Sequence, residues 1–162
     1  MAIVVRTQME SQILSGKVFD FVISEPDVDD GVNVDIVICT NNNKIELESV
    51  IIEGNVETSS WQAFLAPTYT GGTAVQPIPK NQIKTKPIDA QILLAPTLTD
   101  LGTPFFVNPI ELVAEQRGQN AYMNERIISN YLLPDQNCYL IRITNTSGAN
   151  KRIDANITVI IK

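Results

Sequence analysis

Hydrophobic and polar residues alternate with a period of two through most of this chain, the spacing of strands that bury one face. Val18–Ile23 is rich in aromatic and β-branched residues and reads as a first strand. In Asn33–Thr40, Val34, Ile36 and Ile38 form one apolar face, while Val37 and Cys39 make the other nearly as apolar, so this strand is expected at the centre of a sheet. Ile45, Leu47 and Ile51 alternate with Glu46 and Glu48, and the intervening Asn41-Asn-Asn43 suggests a hairpin spanning Asn33–Gly54. Thr58–Ala66 places Trp61, Ala63 and Leu65 on one side, with Gln62 and Phe64 on the other. Further apolar runs occupy Ala90–Ala95, Pro104–Val107, Ile110–Val113 and Arg126–Leu133. Near the C-terminal end, Tyr139, Ile141 and Ile143 oppose Leu140, Arg142 and Thr144. The alternation of Ile153, Ala155, Ile157, Val159 and Ile161 with polar residues then predicts a closing hairpin, Asn137–Lys162, that completes one sheet.

Turn residues punctuate these runs. Ser24–Gly31, Pro67–Pro87, Thr97–Gly102, Glu115–Asn124, Pro134–Asn137 and Ser147–Asn150 carry most of the Pro, Gly, Asn and Asp between strands. Residues 1–17 lack a sustained period, although Met9, Ile13 and Leu14 fit one short helical face; this segment is expected to be an N-terminal arm or a short element such as a strand, docked on the body or ordered against a neighbour. The fold class that follows is all-β: an antiparallel β-sandwich, jelly-roll-like, formed by residues 18–162 as a single domain with long central loops.

The net charge of −6 and the dispersal of basic residues along the sequence argue against a nucleic-acid partner. The only apolar run near the start, Ala2–Val5, is too short for a signal-peptide core or a membrane span. Cys39 and Cys138 each sit in a strand-like run, as buried thiols or, if their strands face each other, as a disulfide. Asp27, Asp29 and Asp30 are the nearest approach to a calcium loop, but the twelfth position counted from Asp27 is Ile38 rather than Glu, which favours a solvated turn and leaves metal binding open. The absence of histidine removes the Ser-His triad and the usual catalytic zinc sites. Catalysis by two carboxylates is compatible with the eighteen acidic residues, yet nothing pairs any two of them. The reading is therefore of a non-enzyme with no catalytic, cofactor-binding or metal site. Trp61 is expected to anchor the core rather than stack on a sugar. Lys80, Lys84 and Lys86 suit either a solvated loop or a surface for acidic partner groups, and two sequons begin at Asn145 and Asn156.

Several blocks, in order, resemble a family of small β-rich structural proteins of tailed bacteriophages. They are Ile52-Glu-Gly-Asn55 before the Trp61 strand; Thr70-Gly-Gly-Thr-Ala74 followed by Pro77; Pro96-Thr-Leu-Thr-Asp-Leu-Gly-Thr103; and Tyr139-Leu-Ile-Arg-Ile-Thr-Asn-Thr-Ser-Gly148. The resemblance covers roughly Ile51 to the C-terminus, and Lys80-Asn-Gln82 departs from the family pattern. It implies a decoration or cement protein on the capsid exterior of a virion, made in the host cytoplasm, bound to the major capsid protein and homo-oligomeric, with a trimer among the arrangements implied. Its contact segments would be Met1–Lys17, Thr68–Lys86 and Glu115–Asn124. The alternative is a carbohydrate- or receptor-binding module of a head fibre or tail, for which Tyr69, Tyr122 and Tyr131 are the candidate aromatics, or a tail or connector component.

Overall fold

The computed structural model of the chain describes residues 7–42, 44–54, 58–88, 90–105, 109–113, 123–133 and 137–162. One short helix, α1 (Gln8–Leu14), precedes four strands: β1 (Val18–Val28), β2 (Asn33–Thr40), β3 (Ile45–Gly54) and β4 (Thr58–Leu65). Six short strands follow: β5 (Thr68–Thr70), β6 (Thr73–Ala74), β7 (Ile78–Pro79), β8 (Ala90–Leu94), β9 (Thr97–Asp100) and β10 (Thr103–Pro104). The last four are β11 (Ile110–Val113), β12 (Met123–Leu133), β13 (Cys138–Asn145) and β14 (Lys151–Ile161).

Sheet I has the order β12-β3-β14-β1-β7. Sheet II has the order β10-β4-β13-β2-β8-β6, with β11 also paired to β4, while β5 and β9 form a separate ribbon. β1 pairs with β14, β2 with β13, β3 with β12 and β4 with β11, every pair antiparallel. The chain is thus one long hairpin, outermost strand against outermost strand, rolled up so that successive pairs alternate between the sheets. That is the connectivity of a jelly roll.

Rolling overturns both expected hairpins. β2 lies in sheet II and β3 in sheet I, so the step after Asn41 crosses between layers instead of reversing within one. β13 and β14 are split in the same way. A period-two pattern specifies which face of a strand is buried and carries no information about its neighbour. Two bulges also shift the expected boundaries. β1 continues through Pro26 to Val28 by way of a register shift against β14, where a proline without an N–H is tolerated, so the turn shrinks to a few residues around Gly31. In β3, Ser49 pairs with Thr158 and Leu47 with Val159, leaving Glu48 as the extra residue. The phase flips there, and Val50 and Ile52 point into the core in place of Ile51.

Between the sheets lies the main core, which includes Phe19, Phe21, Ile38, Val50, Ile141 and Ile157, with Trp61 buried among them as expected. A second, smaller core covers the outer face of sheet II. There Val37, Cys39, Phe64, Leu93 and Leu140 pack beneath Tyr69, Leu98 and Leu101 of the β5–β9 region.

The chain builds this cover with a repeated heptad of sequence, Phe64-Leu-Ala-Pro-Thr-Tyr-Thr70 and Leu93-Leu-Ala-Pro-Thr-Leu-Thr99. Ala66 and Ala95 both adopt positive φ, at 55° and 51°. The Ala66 N–H donates to Cys138 O at 2.9 Å and the Ala95 N–H to Asp35 O at 3.0 Å. β4 and β8, which flank the central β13–β2 pair, therefore leave the sheet by the same bend and meet above it as β5 and β9. Gly102 closes the strap, since a Cβ there would lie 2.2 Å from Leu65 O.

Candidate functional site

Cys39 and Cys138 stand directly opposite each other on β2 and β13. The Thr40 N–H donates to Asn137 O at 2.9 Å, which makes this a non-hydrogen-bonded pair, the kind whose Cα atoms approach most closely. Their Cα atoms are 4.1 Å apart and the two residues form a disulfide, so the choice left open by the sequence falls to pairing. The Tyr69 hydroxyl lies 2.9 Å from Cys39 Sγ and 3.7 Å from Cys138 Sγ. Tyr69 is half-buried on the second core, with its polar tip turned to the disulfide, and is no open platform for a sugar. Tyr122 and the side chain of Tyr131 lie outside the described residues. Two rows along the same face, beyond Val37 and Leu140, Arg142 Nε and Nη2 donate to the two Asp35 carboxylate oxygens at 2.7 and 2.8 Å. That hydrogen bonding raises the guanidinium above its ordinary pKa against the opposing effect of burial.

At one end of the sandwich the acidic turn is fastened to the turn between β13 and β14. Asp30 accepts from the Gly148 N–H at 2.8 Å, and Asp29 from Asn150 Nδ2 at 3.3 Å. Asn145 is fully buried, and its Nδ2 donates to Val28 O and Ala149 O, both at 2.7 Å. The amide nitrogen of the first sequon is thereby committed to the fold. Among the described residues no group of three or more His, Cys, Asp or Glu side chains is placed to hold a metal ion. Beside this turn, between the end of β1 and the start of β2, lies a cleft of about 140 Å³. Val28, Val32, Val34 and Leu94 line it, with Glu25 and Asp27 on the acidic side.

The opposite end carries the loop after β7. Lys80 Nζ is 2.7 Å from Asp20. Asn81 then organises the turn, its Oδ1 accepting from the Ile83 and Lys84 N–H groups at 3.0 Å each and its Nδ2 donating to Leu14 O at 3.2 Å. The Lys86 N–H donates to Gly16 O at 3.0 Å, and at Gly16, with φ +74°, a Cβ would lie 2.0 Å from Lys84 O. The loop is therefore clamped to the end of α1, whose start is fixed by a Thr7–Glu10 capping box.

Of the expected contact segments, Thr68–Lys86 divides into the strap, two edge strands and this clamped loop. The first six residues of Met1–Lys17 and most of Glu115–Asn124 lie outside the described residues. The β5–β9 strap and the clustering of lysines at one end were missed by sequence reasoning; the duplicated Leu-Ala-Pro-Thr motif was the signal for the first.

These features define an all-β jelly roll with a disulfide-backed, strapped outer face. Comparison with protein-family models, curated proteins and solved structures finds no match. No described helix is long and apolar enough to cross a membrane.

Proposed function

We propose that this chain is a non-enzymatic virion structural protein that binds the capsid exterior, contacts the major capsid protein and stabilises the assembled shell. The observation that carries the reading is a jelly roll closed by a disulfide beneath its strap. Jelly rolls recur in viral capsid proteins, and disulfides persist in oxidising surroundings such as the virion surface. In a protein made in the host cytoplasm, the bridge closes once the particle leaves that reducing compartment. The resemblance to tailed-phage structural proteins points the same way.

Contact is made by clamped loops at the ends of the sandwich. Many weak contacts repeated over a lattice add by multivalency, and binding to the assembled shell but not to separated subunits stabilises the shell by mass action. Cryo-electron microscopy of particles carrying the protein tests this. The expected result is regular occupancy on the capsid lattice, with particles lacking the protein melting at lower temperature and recovering when it is added back. Density confined to the tail, or none in the particle, rejects the reading.

A further inference from the structure

The twelve basic residues are dispersed along the sequence, but the fold gathers the lysines. Val18 pairs with Ile160, and the Ile161 N–H donates to Lys17 O while the Lys162 N–H donates to Lys44 O. The Lys80 N–H donates to Val18 O, and Lys86 is tied to Gly16. Lys17, Lys44, Lys80, Lys84, Lys86 and Lys162 therefore share one end of the sandwich. Two of them are engaged, Lys80 with Asp20 and Lys162 with Glu46. At the other end of β1, about 33 Å away at a strand's rise per residue, sit Glu25, Asp27, Asp29 and Asp30. Among the described residues the cations on that side are Lys151, opposite Val28, and Arg152, which pairs with Asp154. Asp35 is already neutralised by Arg142.

Each end also carries one half of an apolar contact. On the basic end the Ile83 side chain is 100% exposed although its backbone is fixed by Asn81, and it is flanked by exposed Lys84 and Lys86. Because Asn81 already orders the turn, burying this side chain against a partner would cost little further backbone entropy, and in that sense it is a preorganised knob. The acidic end carries the cleft of about 140 Å³, open to solvent, with Val28, Val32, Val34 and Leu94 beside the polar Asn33 and Asp35. Its rim residue Val32 is 47% exposed.

We propose that the cleft of one copy receives Ile83 of a second copy, with Lys84 and Lys86 facing Glu25 and Asp27, so that the chain associates head to tail. Knob and cleft lie at opposite ends of one rigid sandwich and cannot meet within a molecule. The contact is therefore heterologous, giving a ring where the rotation between copies closes and a filament where it does not. Ile83 supplies the buried apolar surface; the charges set orientation, association rate and salt dependence. This inference does not depend on where in a virion the protein sits.

Sedimentation velocity over a concentration series of the full chain, at low and high salt, tests it. Wild type is expected to associate in a concentration-dependent way and less strongly at high salt. Ile83→Asp, an exposed substitution, and Glu25→Lys with Asp27→Lys should each weaken association by about tenfold or more, with circular dichroism and melting temperature confirming the fold. The decisive sample is an equimolar mixture of the Ile83→Asp chain and the Glu25→Lys/Asp27→Lys chain. The first retains a working cleft but no knob. The second retains a knob but no working cleft, because Lys84 and Lys86 of one copy would meet lysines in place of Glu25 and Asp27 of the next. Here the intact cleft of the first takes the intact knob of the second, giving a dimer that grows no further. A wild type that remains monomeric throughout, variants that assemble like wild type, or a mixture that stays monomeric would overturn the proposal.

Discussion

The outer faces of the two sheets meet solvent differently, although each belongs to strands that alternate with the same period. On sheet II the outward row Val37, Leu140, Phe64 and Leu93 is apolar and lies under the β5–β9 strap. On sheet I, Asp20 pairs with Lys80 and accepts from the Thr158 hydroxyl at 2.7 Å, Glu46 pairs with Lys162, and Val22, Ile78 and Leu132 stand singly in water. Single exposed apolar side chains on a half-wet sheet are ordinary, whereas a contiguous apolar row needs a cover. The composition of an outer face therefore signals whether the chain must supply another layer.

A charge placed on each face should separate them most widely. Leu140→Asp puts a carboxylate under the strap and is expected to cost upwards of about 4 kcal/mol, read as a fall in the urea midpoint or outright failure to fold. Val22→Asp, at a site 55% exposed, should move the midpoint by about 0.5 kcal/mol or less. Similar losses at both sites would mean that the strap does not seal its face.

Cutting the disulfide comes next in size. Replacing both cysteines by serine should cost about 3 kcal/mol in thermal melts, with reductant lowering the wild-type midpoint and leaving the variant's unchanged. Hydrogen exchange should show the amides of Tyr69 and Leu98 losing protection more than those of β1, because the strap rests on the bridge. Equal loosening across both sheets would deny that local coupling. A smaller effect than the disulfide's, and of opposite sign, is expected at the two bends. Glycine adopts positive φ without the penalty alanine incurs there, but it loses more backbone entropy on folding, so Ala66→Gly and Ala95→Gly should each stabilise by at most about 1 kcal/mol. A clear loss at either position would contradict the bend as described.

Much of this fold was legible in the sequence. Trp61, Ile141 and Ile157 announced their burial through alternation, and β2 was recognisable as central because Val37 and Cys39 left it no wet face. Partners were not legible, since Asn41 and Ser147 read equally well as hairpin turns or as crossings between layers. The candidate surfaces were harder still. Lys17, Lys44, Lys84 and Lys162 are remote in sequence and become neighbours only through the register of β1, β3 and β14. Tyr69 looked available because nothing in its surroundings along the chain reveals that it lies over the disulfide.

The cysteines are separated by 99 positions in sequence and sit on the two central strands of sheet II. Tension applied at the start of β1 and the end of β14, which lie side by side, would reach β2 and β13 and then pass directly from one to the other through the covalent bridge. The intervening chain, with β3, β4, the strap and β12, forms a closed loop outside that path and cannot be drawn out to its full length while the bridge is intact. Mechanically, the molecule is a short tether around a locked body: it can be peeled from its ends, but only as far as Cys39 and Cys138.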